Sequence, residues 1–224
     1  MIYSLYNNFI TIDFDEAKHS YTHQGKKLIS VTAVIGQLDK PALIPWAVNL
    51  MHSYLNEHIQ KSETFSRNEL ITLVDEAKEQ YKIKQNTAIN IGTTIHAIVE
   101  RYGKDPEHFQ ITPEDLGEDN KANIVSALTA FVDWIKTNKV KFLESERVIY
   151  SKRYNFVGKT DAVIEIGKKK YICDFKTGSG IYPEHFQQIS AYAKAYCEET
   201  RKRLNGGMII NFNKNDGTFK VKEL

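Results

Sequence analysis

The chain has 224 residues, 42% of them hydrophobic and 26% charged, which is enough to bury a full core as one elaborated domain. Its 30 basic and 28 acidic residues leave a formal charge of +2, which excludes strong global attraction to nucleic acid and confines any such binding to local patches and metal-bridged phosphates. The two cysteines, Cys173 and Cys197, have no zinc-site spacing, and no apolar run reaches membrane length.

Met1 to Asp15 lacks the basic start and continuous apolar core of a signal peptide, so a reduced, cytoplasmic protein without membrane attachment is expected. Tyr21 to Thr32 reads as strand, turn and strand, followed by a helical Leu43-Ile44-Pro45-Trp46-Ala47. Ser53 to Asn90 reads as helices, with Leu70, Leu73, Val74 and Ala77 at helical spacing. Gly92-Thr93-Thr94 then reads as the entrance to another helix, on which Ile95, Ile98 and Val99 face the core while His96 and Glu100 share a different face. Gly103 to Gly117, with Pro106 and Pro113, reads as a surface connection, and a helix is expected from about Asn120 to Asn138.

The remaining sequence reads mostly as strands. Phe142 to Tyr150 is one, with Glu144 and Glu146 two apart and so on one face. Phe156 to Ile166 is the next, and the polar Gly167-Lys168-Lys169-Lys170 joins it by a hairpin to the β-branched and aromatic run ending at Lys176. After the loop Thr177-Gly178-Ser179-Gly180, Pro183 suits a first helical turn, and no Gly or Pro interrupts the chain up to Leu204. Phe186, Ile189, Ala193 and Tyr196 form the apolar stripe of that helix, with Gln188 and Tyr192 on an adjoining face and His185 one turn before Gln188. Met208 to Phe212, a turn at Asn215-Asp216-Gly217, and Thr218 to Val221 read as a closing hairpin.

Three of these elements carry chemistry in order: Gly158-Lys159-Thr160-Asp161, Asp174-Phe175-Lys176 and Gln188-x-x-x-Tyr192. Side chains two apart on a strand share a face, so Asp174 and Lys176 point the same way, and pairing of the two strands brings Asp161 toward Asp174. A phosphodiester resists hydrolysis because hydroxide and leaving alkoxide carry charge beside an anionic phosphate. A site for it must concentrate cations and hold a deprotonated water. Oxygen ligands on a rigid sheet suit Mg²⁺ or Mn²⁺, one ion or two, and Lys176 is placed to hold the attacking water or help deprotonate it. In isolation, an Asp-x-Lys tripeptide is a solvated pair on an edge strand; the ordered set points to catalysis.

With these motifs the chain resembles the PD-(D/E)XK nuclease superfamily, in its RecB-like and phage exonuclease branch, from about Tyr21 to Tyr196. The resemblance implies an α/β (α+β) fold with a restriction-endonuclease-like core, a central mixed β-sheet flanked by helices. It implies a single nuclease domain over 1–224, with a hairpin and helical elaboration over about 1–90 that shapes the substrate channel and a catalytic core over about 91–224. Asp161 and Asp174 are implied as metal ligands and Lys176 as catalytic. Gln188 and Tyr192 match the motif that supports the site and approaches DNA. His96, in Gly-Thr-x-x-His-x-x-x-Glu, is implied as a further metal ligand or active-site residue, with Glu100 a weaker match, and Glu146 matches an acid that commonly precedes the Gly-x-x-Asp strand. Thr160 stands where the superfamily's name puts Pro, as is common in this branch. Two cysteines cannot supply the four ligands of the iron–sulfur cluster that some members carry, so none is expected.

The implied activity is metal-dependent hydrolysis of linear DNA, single- or double-stranded, by an exonuclease in recombination, repair or phage DNA processing, in the cytoplasm of a bacterial or phage-infected host cell. A recombination or replication protein is an admissible partner, and the oligomeric state is not specified. The alternatives are a structure-specific or flap endonuclease on the same site and a catalytically inactive DNA-end-binding module. The basic stretches Lys168 to Lys170, Arg201 to Arg203, and Lys136, Lys139 and Lys141 read first as solvated faces and second as DNA contacts.

Overall fold

In a computed structural model, which describes residues 1–62 and 64–224, the chain forms two compact units, one of Met1–Leu38 with Ile91–Leu224 and one of Asp39–Asn90. Four short strands open the chain, β1 (Ile2–Leu5), β2 (Ile10–Asp15), β3 (Ser20–His23) and β4 (Lys26–Lys27), in an antiparallel meander. β1 and β2 were not legible as strands. The turn between them takes the left-handed backbone at Tyr6, Asn7 and Asn8, with φ of 53°, 56° and 70°, and carries no Gly to announce itself. β5 (Ile29–Ser30) follows, and α1 (Val31–Ile35) begins where strand was expected, because the Ser30 hydroxyl accepts the Ala33 N–H at 3.1 Å and caps a helix there.

The smaller unit contains α2 (Leu43–Ile59) and the first part of α3 (Arg67–Lys104). Within it Trp46 meets Tyr81 edge-on at 5.3 Å, and Tyr54 donates to Glu76 at 3.0 Å. Leu73 and Ala77 are buried there, whereas Leu70 and Val74, at the same helical spacing, remain exposed. α3 is one helix of 38 residues, so Gly92 lies in its interior and does not mark an entrance. An interior Gly costs a helix about 1 kcal/mol against Ala. Here the bare Cα faces the Thr177 hydroxyl, which a Cβ would meet at 3.4 Å.

Then come α4 (Pro113–Leu116), within the segment expected to be a loop, α5 (Lys121–Asn138), β6 (Lys141–Ser151), β7 (Phe156–Ile166), β8 (Lys169–Lys176), α6 (Pro183–Thr200), β9 (Gly206–Phe212) and β10 (Phe219–Glu223). β7 and β8 form the expected hairpin, turned at Gly167 with φ +62°, and β9 with β10 closes the sheet. The six-stranded sheet runs β10-β9-β8-β7-β5, with β6 on β7, and mixes a parallel β8–β9 pair with antiparallel neighbours. The architecture is mixed α/β, sheets flanked by helices.

Strand alternation divides the core. Ala162, Ile164, Cys173, Phe175, Ile210 and Phe212 face α3 and α5, where they meet Ile95, Phe131 and Trp134. Val163, Ile172 and Ile209 face α6, against Ile189, Tyr192 and Tyr196. Buried on both faces, β7 and β8 read as near-continuous apolar runs, and the polar residues that interrupt them are the unusual ones. Tyr192 belongs to the sheet-facing stripe of α6 rather than to an adjoining face, because Gly158 makes room for it: a Cβ at Gly158 would lie 2.5 Å from Tyr192 Cε1. Gly158→Ala should therefore destabilise the protein by about 1–3 kcal/mol. Chemical denaturation should show most of that loss disappearing in a Tyr192→Leu background, since the two changes share one contact.

Candidate active site

The geometry of the site begins where β7 and β8 stop pairing. Their ladder runs from Ile166↔Lys169 to Ala162↔Cys173 and ends there, although both strands continue. Beyond it, β5 lies parallel to β7 at Phe156 and Val157. Side chains hold the fork. The buried Thr160 hydroxyl donates to the Cys173 carbonyl at 2.9 Å, and Asp161 Oδ2 accepts the Phe175 N–H at 2.5 Å. Both acids of the motif thus sit just past the last rung of the β7–β8 ladder.

On β8, Asp174 is buried and Lys176 lies on the same face, with Nζ 3.0 Å from Asp174 Oδ1 and 2.8 Å from Oδ2. The first contact has hydrogen-bond geometry. The second is only an ion pair, so Asp174 Oδ2 is a buried oxygen without a hydrogen bond. Lys176 also donates to Gln188 Oε1 at 3.1 Å, and Gln188 Nε2 donates to the Tyr192 hydroxyl at 3.0 Å. The chain Asp174, Lys176, Gln188, Tyr192 orients the ammonium and leaves one of its three N–H groups uncommitted.

From the other face α3 brings His96, whose Nδ1 lies 3.4 Å from Asp161 Oδ1. Glu146 arrives by a different device. It has φ +50°, and the β6–β7 register passes from Ser145↔Ala162 to Arg147↔Thr160 without it. This left-handed residue interrupts the alternation of β6, so Glu144 and Glu146 do not share a face as the strand period predicts. Glu144 accepts from the Tyr196 hydroxyl at 2.6 Å and from Arg147 at 2.6 Å, toward α6. Glu146 instead joins His96 and Asp161, and one ligand atom from each of the three lies within 4.8 Å of the others. A cation with ligands at about 2.0–2.6 Å spans such a group with small adjustments. His96, Glu146 and Asp161 could thus hold a metal ion, whereas Asp174, expected as a ligand, lies outside this group and is paired with Lys176.

The site's electrostatics follow from burial and pairing. Burial pushes Asp174 above the ordinary carboxylate range, and Lys176 offsets only part of this. Burial acts on Asp161 too, but the His96 charge and hydrogen bond, Lys176 and the Phe175 N–H outweigh it and hold that carboxyl low. Two neighbouring acids are thus pushed apart in acidity. Burial likewise raises Glu146, which Lys159 of β7 holds in a close ion pair. Lys159 was not singled out from the sequence; as a variable position of Gly-x-x-Asp it gave no signal of the contact.

Other expected participants lie elsewhere. Glu100 pairs with Lys104 at 2.5 Å, one turn along α3. His185 sits at the α6 N-terminus, where its Nδ1 accepts the Tyr182 N–H at 3.2 Å. The basic stretches are exposed, at the β7–β8 turn, after α6 and around the α5–β6 junction. Away from the cluster, the half-buried Arg147 binds Glu199 at 2.5 Å, an internal ion pair between β6 and α6.

No protein-family model and no curated protein matches the sequence. A solved crystal structure, that of SSO0001, aligns over 78% of this chain and 74% of its own, at 14% identity and a TM-score of 0.29, a likeness too low to carry an argument. No helix among the described residues is long and apolar enough to cross a membrane.

The Asp161 charge, against a smaller opposing effect of burial, raises His96 from 6.5 to about 9. A raised basic group stabilises the fold fully below its unfolded value and loses that contribution as pH climbs through its folded one. In metal-free protein, the stability difference between wild type and Asp161→Asn should therefore shrink between pH 6.5 and about 9. NMR titration should move the His96 midpoint down in the variant.

Proposed function

We propose that this protein is a Mg²⁺- or Mn²⁺-dependent nuclease of the PD-(D/E)XK superfamily, with a restriction-endonuclease-like core, acting as a DNA exonuclease in recombination, repair or phage DNA processing. The observation that carries the reading is the fork of β7 and β8: Asp161 and Asp174 flank it, Lys176 is held on Asp174, and His96 and Glu146 complete a cation-sized group with Asp161. The order of these residues along the chain is that of the motifs described above.

What a divalent ion supplies when bound is charge to meet phosphate oxygens and a more acidic water. The chain's residues do the rest. His96, Glu146 and Asp161 would hold the ion, and Asp174, with Oδ2 2.8 Å from the Lys176 ammonium, would hold that lysine beside it. Lys176, fixed at 3.0 Å by Asp174 and at 3.1 Å by Gln188, keeps one N–H for a water or a phosphate oxygen. Tyr192 orients Gln188 from behind, packed against Gly158. An ammonium pinned in this way costs little reorganisation when charge develops on the phosphate.

Purified protein with end-labelled single-stranded, double-stranded and closed-circular DNA tests the reading, with Mg²⁺, Mn²⁺ or EDTA. Linear DNA should be degraded only with metal and circles should survive. Asp161→Ala, Asp174→Ala and Lys176→Ala should each lower the rate by at least about 10²-fold while thermal unfolding stays cooperative. Cut circles would replace the exonuclease by an endonuclease on the same site. DNA binding without metal-dependent, mutation-sensitive turnover would replace the enzyme by a binding module.

A further inference from the structure

Each carboxylate of the candidate site carries its own cation: Asp161 has His96, Asp174 has Lys176, and Glu146 has Lys159. The third pair differs from the others. Lys176 is also anchored by Gln188, and His96 is fixed on a core helix by Ile95, Ile98 and Val99. Lys159 makes its contact only with Glu146 among the ion pairs of the described residues, and its side chain is 43% exposed against 12% for Glu146. It projects from the motif strand one residue past Gly158, on a long flexible stem that can leave without disturbing the core. Glu146 cannot leave so easily, since its left-handed backbone aims it at His96 and Asp161.

We infer that Lys159 is a placeholder cation: it neutralises Glu146 in the metal-free protein and must be displaced from that carboxylate when a divalent ion takes Glu146 as a ligand. The inference rests on the proposed metal site and adds a competition within it. A partly buried acid beside Asp161 is costly without a counter-charge, and an ammonium is the cheapest reversible one. The consequence is an affinity for metal set below what the donor atoms alone would give, because binding exchanges one ion pair for another. Lys159 is in these terms a positioning residue that acts through Glu146.

Binding of Mn²⁺ alone to the full chain, measured by calorimetry and by the EPR signal of free Mn²⁺, tests this without recourse to activity. Lys159→Met and Lys159→Gln should bind Mn²⁺ about fivefold more tightly than wild type, the scale of one partly exposed ion pair. Lys159→Arg, which keeps the charge, should behave as wild type. In EDTA the Met and Gln variants should unfold at a lower temperature than wild type, and saturating Mn²⁺ should close that gap. Glu146→Gln should weaken binding, and adding Lys159→Met to it should change nothing further. Equal or weaker Mn²⁺ binding by both neutral variants would overturn the placeholder role while leaving the metal site standing. No Mn²⁺ binding by wild type or any variant would overturn the site and the placeholder together.

Discussion

Two side-chain hydrogen bonds, Thr160 to the Cys173 carbonyl and the Phe175 N–H to Asp161, hold β7 against β8 past the point where their backbones part. A continuous ladder would have set Asp161 directly opposite Asp174 on one face of a closed sheet. The fork instead makes room for β5 on the β7 edge and for the acids at the mouth. Everything else at the site is arranged around that opening: α6 reaches it through Gln188, α3 through His96, and β6 through a residue turned left-handed at Glu146.

Buried carboxylates are unfavourable unless compensated, and the compensation differs among the three. For Asp161 the nearby charges prevail over burial and the acid is held low; for Asp174 and Glu146 burial prevails and the acids are raised. A divalent ion among them would reverse this balance by favouring every ionised form at once. On the proposed reading, metal binding would exchange proton and ammonium partners for the ion. That gives physical content to the His96 titration and to the exposed position of Lys159.

The placement of the strand residues was legible because it depends on short periods. The same-face placement of Asp174 and Lys176, the Gly167 hairpin, the His96 face of a core helix and the one-turn spacing of Gln188 and Tyr192 all follow from local geometry. What depended on long-range contacts was not legible. Gly158 looks like a flexible strand residue until the Tyr192 ring is seen to lie against it, and that contact moves Tyr192 into the buried stripe of α6. Glu146 obeys the strand period on paper, and a single φ of +50° breaks it. Gly92 reads as a helix start only because propensity favours one, whereas α3 runs through it. The Arg147–Glu199 pair joins residues 52 apart and left no local trace. The boundary between the two compact units, inside α3, is likewise set by contacts and not by a linker.

Anomalous scattering from crystals soaked in Mn²⁺ would address the central claim most directly. The account predicts a peak within about 2.0–2.6 Å of ligand atoms from His96, Glu146 and Asp161, on the Asp174 side of the fork. Strong peaks only at other surface acids, with His96 still on Asp161 and this group empty, would contradict it.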